Sequence, residues 1–409
     1  MTVPATGRVV IAGTGIAGAT AAETLRKRGF AGEIVLLGAD PAPPYRRPMV
    51  SKELLAASFP AEKALLRPAT AWPELRIDLR TGVRVEAIDP DAARVALDDG
   101  TELGYDALLL ATGGRPRTLG VPIPGAFTLR DRHDAVALRD VLARPGVEVA
   151  VVGGGLIGTE VAASAQAGGA RVTILEAGPR LLDRVFPPPV SAALEQVHRA
   201  RGVAVHTGVA VTGADTVSGC TRLCSADGRE WIADAVVVAV GMTPNDEQAR
   251  AAGLRVEDGI VVDEFCRTSV PGVYAAGDVA RFPDPVHVGH VRVEHWNHAQ
   301  SHGAAAAAAI LGEAAPYREV PWCWTTQYGR TVQAAGRPGA GAELIVDGDP
   351  GADAFLALTL AGDRLVGAVA AGRPRELRAA RTLIGTGAGL SRALLTGPID
   401  LVSVAAAAA

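Results

Sequence analysis

The chain has 409 residues, 48% of them hydrophobic, and its 40 Lys and Arg against 44 Asp and Glu leave a formal net charge of −4. This balance argues against a nucleic-acid or membrane-surface protein, and no apolar stretch of about eighteen residues lacks charges or glycines, so no membrane span is expected. The length predicts two or three domains. Met1–Pro4 runs directly into a predicted strand without a signal sequence, which predicts a cytoplasmic protein.

The most informative stretch is Val149–Ala163, where apolar β-formers lead into a glycine-rich turn and a helical pattern. The turn has the G-x-G-x-x-G spacing of a dinucleotide-binding βαβ unit, which places a helix N-terminus against a pyrophosphate. Strand Arg171–Leu175 follows and ends at Glu176, whose carboxylate can accept both ribose hydroxyls and would repel a 2′-phosphate. The pattern favours NADH over NADPH. The residues assigned to this site are Gly153, Gly155, Leu156, Ile157, Gly158, Glu176 and Gly241.

A second motif of the same kind opens the chain. Strand Arg8–Ala12 precedes a turn with Gly13, Gly15, Ala17 and Gly18, and the pattern then predicts a helix over Ala19–Arg28. Two such units in one chain predict two dinucleotides, FAD and NAD(H), that exchange a hydride.

The acid that should hold the ribose of the first dinucleotide is missing from its usual place. Strand Glu33–Leu37 is followed by Gly38, Ala39 and Asp40, so the first candidate position is an alanine. Asp40 is assigned to the ribose, and an ordinary turn aspartate is the alternative.

Several further segments are typical of ligand contact in such a protein. Arg47 suits a pyrophosphate, and Lys52 opens a predicted helical stretch, Lys52–Ala57, with a solvated surface lysine as the alternative. Leu79–Leu103 alternates as in a β-meander. The buried strand Asp106–Gly114 ends in the small residues Ala111, Thr112 and Gly113, which indicate backbone packed against a ligand.

The two nucleotide motifs organise the predicted domains. The Gly-Pro turn at 241–245 resembles the turn at 111–117, as if each marks a crossing between the same two domains. We therefore expect a discontinuous FAD domain at 1–114 and 246–315, an NAD domain at 115–245, and a small α+β domain at 316–409. Within the resumed first domain, Asp278 and Val279 follow a short strand and can face a ribityl chain, or Asp278 can cap the next helix.

Histidines and cysteines do not predict a metal site. The histidines cluster at His287, His290, His295, His298 and His302, but no carboxylate completes a ligand pattern. The four cysteines, Cys220, Cys224, Cys266 and Cys323, form no C-x-x-C pair and are expected to be free thiols.

The last domain begins with an aromatic segment, Pro321–Tyr328, in a chain poor in aromatics. Trp324 is expected either to cover the flavin ring or, with Trp322, to anchor a core. Short strands and a helix near Arg375 should follow, and the terminal run Ala405–Ala409 is expected to fray.

Taken together, PPYRRPMVSK, LLLATGGRPR, VVGGGLIGTEVAA, VAVGMTPN, FCRTSVPGVYAAGDVA, VEHWNHAQSHG and PWCWTTQYGR resemble the ferredoxin reductases of the putidaredoxin reductase and biphenyl-dioxygenase reductase type. These are FAD-dependent pyridine nucleotide oxidoreductases with a glutathione-reductase-like α/β fold of two Rossmann-type domains and a small C-terminal domain. The resemblance implies hydride transfer from NADH to FAD and single electrons to a [2Fe–2S] ferredoxin, which would serve a cytochrome P450 or a ring-hydroxylating dioxygenase. A monomer or weak homodimer is expected.

The resemblance also assigns roles to single residues. It implies that Lys52 lies beside the flavin and pairs with Glu160, and that Trp324 covers the ring, so these three are the expected catalytic residues. The residues that it implies for FAD are Gly13, Gly15, Ala17, Gly18, Arg47, Lys52, Val85, Arg130, Asp278, Trp296 and Trp324.

Two departures and several alternatives remain. The family often has Ser-Asp-Gln where this chain has Thr325-Thr326-Gln327, and the ribose acid is absent at Ala39. The cysteine-free segment 29–68 excludes the related disulfide reductases. Rubredoxin reduction, a nitrite-reductase-linked reductase and an NADH-sensing flavoprotein of the apoptosis-inducing-factor type stay open. Candidate docking residues for an acidic ferredoxin, with an ordinary surface arginine as the alternative for each, are Arg46, Arg292, Arg330, Arg373 and Arg375.

Overall fold

A computed structural model describes residues 3–56, 58–284, 286, 289–313, 315–339, 343–390 and 400–408. Outside the described residues lie His287, Ala57 at the end of the predicted helical stretch, and Ala409 at the end of the terminal alanine run. The chain divides into two compact units, the first made of 1–47, 61–115 and 243–319, the second of 48–60, 116–242 and 320–409. The division into three domains stays a prediction.

The first unit is built on a parallel five-stranded sheet. Four of its strands are mostly apolar and buried, as expected of a parallel sheet that is covered on both faces, whereas the edge strand Ile77–Thr81 is mostly polar. In spatial order the five strands are Val273–Ala275, Ala107–Leu110, Arg8–Ala12, Glu33–Gly38 and Ile77–Thr81. The strand Ala107–Leu110 is buried along its whole length, as the sequence predicts.

Two helices of the first unit pack closely against each other. Ile16–Lys27 follows the first glycine turn, and Trp296–Ile310 is an alanine-rich helix. Their contact depends on small residues, because a Cβ at Gly303 would overlap the carbonyl oxygen of Ala17. The buried face of the pair joins a core that includes Leu25 and Trp72.

The rest of the first unit consists of short elements around this sheet. The predicted meander is an antiparallel sheet of Val85–Asp89, Arg94–Leu97 and Glu102–Gly104, and a second small sheet contains Ile260–Val261, Ala280–Pro283 and His290–Arg292. Short helices complete it at Ala61–Ala64, Ala71–Glu74, Glu247–Ala251 and Gly277–Val279.

The second unit contains another parallel sheet, in the order Ala204–Thr207, Arg171–Glu176, Glu148–Val152 and Ala235–Val238. Helices Arg132–Leu142, Leu156–Ala167 and Pro188–Ala200 belong to the same unit. The polar hairpins form an antiparallel sheet of Val211–Val217, Cys220–Ser225 and Glu230–Ala233. Strands Gly114–Pro116 and Met242–Pro244 lie where the chain passes from one unit to the other.

The C-terminal part of the second unit is an antiparallel five-stranded sheet with a helix on it. The strands are Trp322–Gln327, Arg330–Gly336, Arg364–Ala371, Phe355–Ala361 and Glu343–Asp347, and the helix is Pro374–Thr386. The expectation that the terminal alanine run frays is wrong for residues 405–408, since they belong to the helix Leu401–Ala408, which packs against Pro374–Thr386. Leu401 and Ala405 are buried, so apolar contact offsets the entropic cost of ordering the end.

The segment around Lys52 also differs from its prediction. It contains only the short 3₁₀ turns Arg47–Met49 and Glu53–Leu55, with Lys52 immediately before the second. Propensity over so short a stretch is a weak guide, and the burial of Leu54 and Leu55 decides the local path. Among the described residues, no helix combines the length and apolar character needed to cross a bilayer.

Candidate functional site

The first glycine turn has the stereochemistry of a pyrophosphate-binding loop. Gly13 has φ of 125°, and a Cβ there would overlap the carbonyl oxygen of Ala111. A Cβ at Gly18 would overlap the carbonyl oxygen of Gly13, so only glycine lets the helix start this close to the strand. Gly15 has open space where its Cβ would be, which leaves the loop backbone accessible to a ligand. These features fit the diphosphate of FAD.

The position of the missing acid is Gly38 rather than Ala39. Gly13 N donates to Leu37 O at 2.7 Å, and Gly153 N donates to Leu175 O at 2.8 Å, so Gly38 in the first unit corresponds to Glu176 in the second. A Cβ at Gly38 would overlap the side chain of Thr14, which is itself buried. Thr14 therefore occupies the room that an acidic side chain would need.

Asp40 lies two residues further and has local partners. Its Oδ1 accepts from Ala42 N at 2.9 Å, and its Oδ2 accepts from the Tyr45 hydroxyl at 2.9 Å. This is the turn role given above as the alternative. Its assignment to the ribose stays a prediction.

The other FAD candidates of the first unit differ in their contacts and exposure. Ala111 is buried beside Gly13, and Thr112 Oγ1 donates to Asn245 O at 2.7 Å, while Asn245 N donates to Gly113 O at 3.0 Å. The remaining candidates differ in exposure: Val85 and Val279 are buried, whereas Arg47, Asp278 and Trp296 are half-buried.

The second glycine turn repeats the geometry of the first. Gly153 has φ of 108° and no room for a Cβ against Ala239 O, and a Cβ at Gly158 would overlap Gly153 O. Gly155 again has open space. Glu176 lies against this turn, where its Oε2 accepts from Gly154 N and its Oε1 accepts from Gly178 N, each at 2.5 Å. The loop and its acid are thus held together before any nucleotide arrives.

The most unusual charge arrangement of the second unit is a buried ion pair. Lys52 Nζ lies 2.6 Å from Glu160 Oε2, with side chains 17% and 7% exposed. The sequence resemblance implies this pair, and the structure brings the two residues together. Glu160 is on helix Leu156–Ala167, which begins at the second glycine turn, so the turn that suits a pyrophosphate also fixes the start of the helix that carries the acid.

Three further donors converge on the same carboxylate. Ser51 Oγ donates to Glu160 Oε2 at 2.5 Å, and Thr325 Oγ1 donates to Oε1 at 2.8 Å, with Thr326 N at 3.4 Å from Oε1. Neither Ser51 nor Thr325 was singled out as a site residue from the sequence. The departure from Ser-Asp-Gln at Thr325–Gln327 marks this segment as unusual, but it does not predict a contact with Glu160.

The remaining second-unit candidates have mixed surroundings. Trp324 is half-buried, with its ring centroid 5.9 Å from that of Trp322. Arg130 N donates to Asp134 Oδ2 at 2.8 Å, and its guanidinium contacts Met242 Sδ at 3.9 Å. Gly241 has φ of 107°, which explains the glycine at that turn. Leu156 is half-buried, and Ile157 is 43% exposed, beside the open backbone of Gly155.

Two histidines of the first unit belong to an aromatic cluster. His298 and His302 lie with ring centroids 4.9 Å apart and pack on Phe282 and Tyr317. Burial lowers the pKa of His302 to about 3 and holds the pKa of His298 well below its usual range, so both rings stay neutral at physiological pH. His302 Nδ1 accepts from Gly277 N at 3.3 Å, which ties this helix to the turn that carries Asp278.

All four cysteines are free thiols, as predicted. Burial raises the pKa of Cys323 to about 12 and raises that of Cys266 further, so neither forms a thiolate readily.

The candidate docking arginines fall into two groups. Arg46 and Arg375 are exposed, and the guanidinium of Arg46 also donates to Leu65 O at 3.0 Å. The other three are held by neighbours: Arg292 by Glu294 and Asp258, Arg330 by the carbonyl oxygens of Pro350 and Ala352, and Arg373 by Asp347 and Glu376.

Comparison with known proteins gives consistent matches over nearly the whole chain. Residues 7–303 match the family described as pyridine nucleotide-disulphide oxidoreductase, and residues 322–403 match the reductase C-terminal family. The ferredoxin–NAD(+) reductase component of the anthranilate 1,2-dioxygenase system of Burkholderia cepacia is 43% identical over 383 residues, covering 93% of this chain and 94% of that protein.

Two further relatives extend the comparison. Putidaredoxin reductase of Pseudomonas putida is 38% identical over 386 residues, covering 92% of this chain and 91% of that protein. Among solved structures, the reductase chain matched in the covalent putidaredoxin reductase–putidaredoxin complex has a TM-score of 0.93 at 36% identity, covering 99% of each chain.

Proposed function

Since the chain belongs to the pyridine nucleotide-disulphide oxidoreductase family and has its glutathione-reductase-like fold, we propose that it is an NADH-dependent ferredoxin reductase. In this role it passes electrons from NADH through bound FAD to a [2Fe–2S] ferredoxin that supplies a cytochrome P450 or a ring-hydroxylating dioxygenase. The names of its relatives support this role, since several of them are ferredoxin–NAD(+) reductase components of dioxygenase systems.

The observation that carries the proposal is the duplicated glycine-turn geometry. In each turn the first glycine has positive φ and the last has no room for a Cβ, while the middle glycine leaves open backbone. One polypeptide with two such turns is suited to two dinucleotides. FAD, when bound, accepts a hydride from NADH and releases its two electrons one at a time.

Glu176 supports NADH as the donor. Its carboxylate is fixed against the second turn by Gly154 N and Gly178 N, each at 2.5 Å. A fixed negative charge at this place accepts ribose hydroxyls and opposes a 2′-phosphate.

The Lys52–Glu160 pair is the proposed catalytic element, with Trp324 as a further candidate. A buried ammonium stabilises negative charge that develops close to it, because few water molecules screen it. Glu160 holds that ammonium in place at 2.6 Å. We expect Lys52→Ala or Glu160→Ala to slow reduction of the flavin by NADH with little loss of FAD.

Disulfide chemistry does not suit this chain, despite the family name. Segment 29–68 contains no cysteine. Among the described residues the cysteines are free, and burial raises the pKa of the Cys323 thiol to about 12. A thiolate pair of the kind that disulfide reductases use has no residues to form it there.

The experiment is NADH-driven cytochrome c reduction with and without a [2Fe–2S] ferredoxin from the same genome, over a range of salt concentrations. A strong dependence on ferredoxin that weakens with salt supports the proposal, because docking to an acidic partner is steered by charge. No dependence with slow bleaching of the flavin favours an NADH-sensing protein and contradicts it. No dependence with fast bleaching contradicts the choice of ferredoxin, and rubredoxin is then the carrier to test.

A further inference from the structure

A chain of buried polar side chains extends from Glu160 through the interior of the second unit. Glu160, Thr325, Gln327, Thr159 and His198 are each at most 5% exposed. They come from three helices or strands that are far apart in the sequence, Leu156–Ala167, Pro188–Ala200 and Trp322–Gln327. Buried polar groups cost free energy unless each is hydrogen-bonded, so the completeness of the chain calls for a physical explanation.

The carboxylate sets the direction of the first bonds. An ionised carboxylate only accepts, so the hydroxyl of Thr325 must donate to Glu160 Oε1, at 2.8 Å. The lone pairs of the same hydroxyl then accept from Gln327 Nε2 at 3.1 Å. Gln327 Nε2 has a second hydrogen, which it donates to Thr159 Oγ1 at 2.9 Å. The amide of Gln327 therefore has one orientation, with its nitrogen toward the two threonine hydroxyls and its oxygen directed away from them.

The same direction of donation continues to the buried ring of His198. Gln327 Oε1 lies 2.8 Å from His198 Nε2, and since that oxygen accepts, His198 carries its proton on Nε2. Nδ1 is then an acceptor and receives the hydroxyl of Tyr328 at 2.9 Å. Burial lowers the pKa of His198 and raises the pKa of Tyr328 to about 12, so the ring stays neutral and the phenol keeps its proton.

The carboxylate of Glu160 is thereby held from both sides. Oε2 accepts from Lys52 and Ser51, and Oε1 accepts from Thr325, whose hydroxyl cannot turn away because Gln327 fixes its lone pairs. The other donor to Oε1, Thr326 N, is at 3.4 Å, so loss of the Thr325 bond leaves this oxygen weakly held and loosens the carboxylate that orients the Lys52 ammonium.

We propose that Thr325, held by the Gln327–His198–Tyr328 chain, is a positioning residue that fixes Glu160 and through it Lys52 for reduction of the flavin. This rests on the proposed role of the Lys52–Glu160 pair. Thr325 bonds Glu160, and Glu160 in turn bonds Lys52, so the effect of Thr325 is on orientation and not on chemistry at a reacting atom.

Rapid mixing of the FAD-loaded protein with saturating NADH tests the proposal. Thr325→Val should slow the rate constant of flavin reduction about tenfold, the effect expected for one lost hydrogen bond to a charged group, with an unchanged Kd for NADH. Thr325→Ser keeps the hydroxyl and should restore the rate to within about twofold. A matched control is Thr359→Val, which also removes a buried hydroxyl bond, from Thr359 to Pro338 O at 2.6 Å, elsewhere in the same unit.

The outcomes distinguish the role of the Lys52–Glu160 pair from the positioning role of Thr325. Glu160→Gln serves as the reference: wild-type reduction by this variant would overturn the role of the ion pair itself. Slow reduction by Glu160→Gln with wild-type reduction by Thr325→Val would overturn only the positioning role. Equal slowing by Thr325→Val and Thr359→Val would show a general loss of stability and would also overturn it.

A second measurement does not depend on turnover. In the oxidised protein with ¹⁵N-labelled histidine, the resonances absent from His198→Asn belong to His198. We expect a neutral ring with its proton on Nε2 at pH 7. A ring protonated on Nδ1, or on both nitrogens, would contradict the direction of the hydrogen-bond chain.

Discussion

Removing either charge of the Lys52–Glu160 pair should destabilise the protein far more than removing an exposed charge. The pair is 2.6 Å apart with side chains 17% and 7% exposed, so water replaces a lost partner poorly. Lys52→Met would leave a buried carboxylate, and Glu160→Gln would leave a buried ammonium. Breaking a buried pair by removing one partner costs about 3–5 kcal/mol.

The structure refines this range. After Lys52→Met, Glu160 keeps Ser51 and Thr325 as donors, so the lower end, about 3 kcal/mol, is expected. In Glu160→Gln the carboxamide has only one oxygen, whereas donors approach both oxygens of the wild-type carboxylate. At least one donor therefore faces an NH₂ group. The double variant has no unpaired charge, and its cost should fall short of the sum of the single costs by about 2 kcal/mol.

Chemical denaturation followed by tryptophan fluorescence measures these free energies of unfolding. Arg171→Met is the control. Arg171 lies 2.7 Å from Glu148 in an exposed ion pair, with side chains 71% and 45% exposed. That variant should cost about 1 kcal/mol or less. Additive single costs, or costs for Lys52→Met and Glu160→Gln no larger than for Arg171→Met, would refute the reasoning.

Three further predictions concern the glycine turns, coenzyme choice and pH. Gly18→Ala should abolish retention of FAD on purification, whereas Gly158→Ala should keep FAD and raise the KM for NADH. The reason is that each added Cβ would overlap a carbonyl oxygen of its own turn. Equal FAD content in both variants would contradict this. Glu176→Ala should raise the ratio of kcat/KM for NADPH over NADH about tenfold, as expected for one charged contact; an unchanged ratio would show that another residue selects the coenzyme. Burial lowers the pKa of His302 from 6.5 to about 3, so between these pH values the unfolded chain binds more protons than the folded protein. The free energy of unfolding should therefore decrease as pH falls, by up to about 1.4 kcal/mol per pH unit for this group. Denaturation at pH 5 and pH 7 measures that slope, which His302→Asn should reduce; a variant with the wild-type slope would contradict the assignment.

The sequence predicts the local architecture of this protein well. Apolar runs before each glycine turn correspond to strands Arg8–Ala12 and Glu148–Val152, and both turns need glycine for reasons of backbone angle and close approach. The motifs also led to the family, which the comparisons confirm. These features depend on residues close together in the chain, and local patterns express them directly.

Features that depend on distant residues were not predictable in the same way. The ribose acid is missing at Gly38, and identifying this position requires a comparison of the hydrogen bonds in the two sheets. Thr14 fills the space beside Gly38 only in the folded chain. Ser51 and Thr325 meet Glu160 across separations of more than a hundred residues. Serine and threonine carry no periodic signal for such a contact, so only the fold reveals them.

The most direct test of the account is anaerobic rapid mixing of the FAD-loaded protein with NADH, and separately with NADH deuterated at C4. We expect flavin absorbance to bleach faster than steady-state turnover with ferredoxin, and to bleach more slowly with the deuterated donor, because the C4 hydride moves in that step. Bleaching slower than turnover, or a long-lived long-wavelength absorbance without an effect of deuterium, would contradict a reductase and indicate a protein that binds NADH for another purpose.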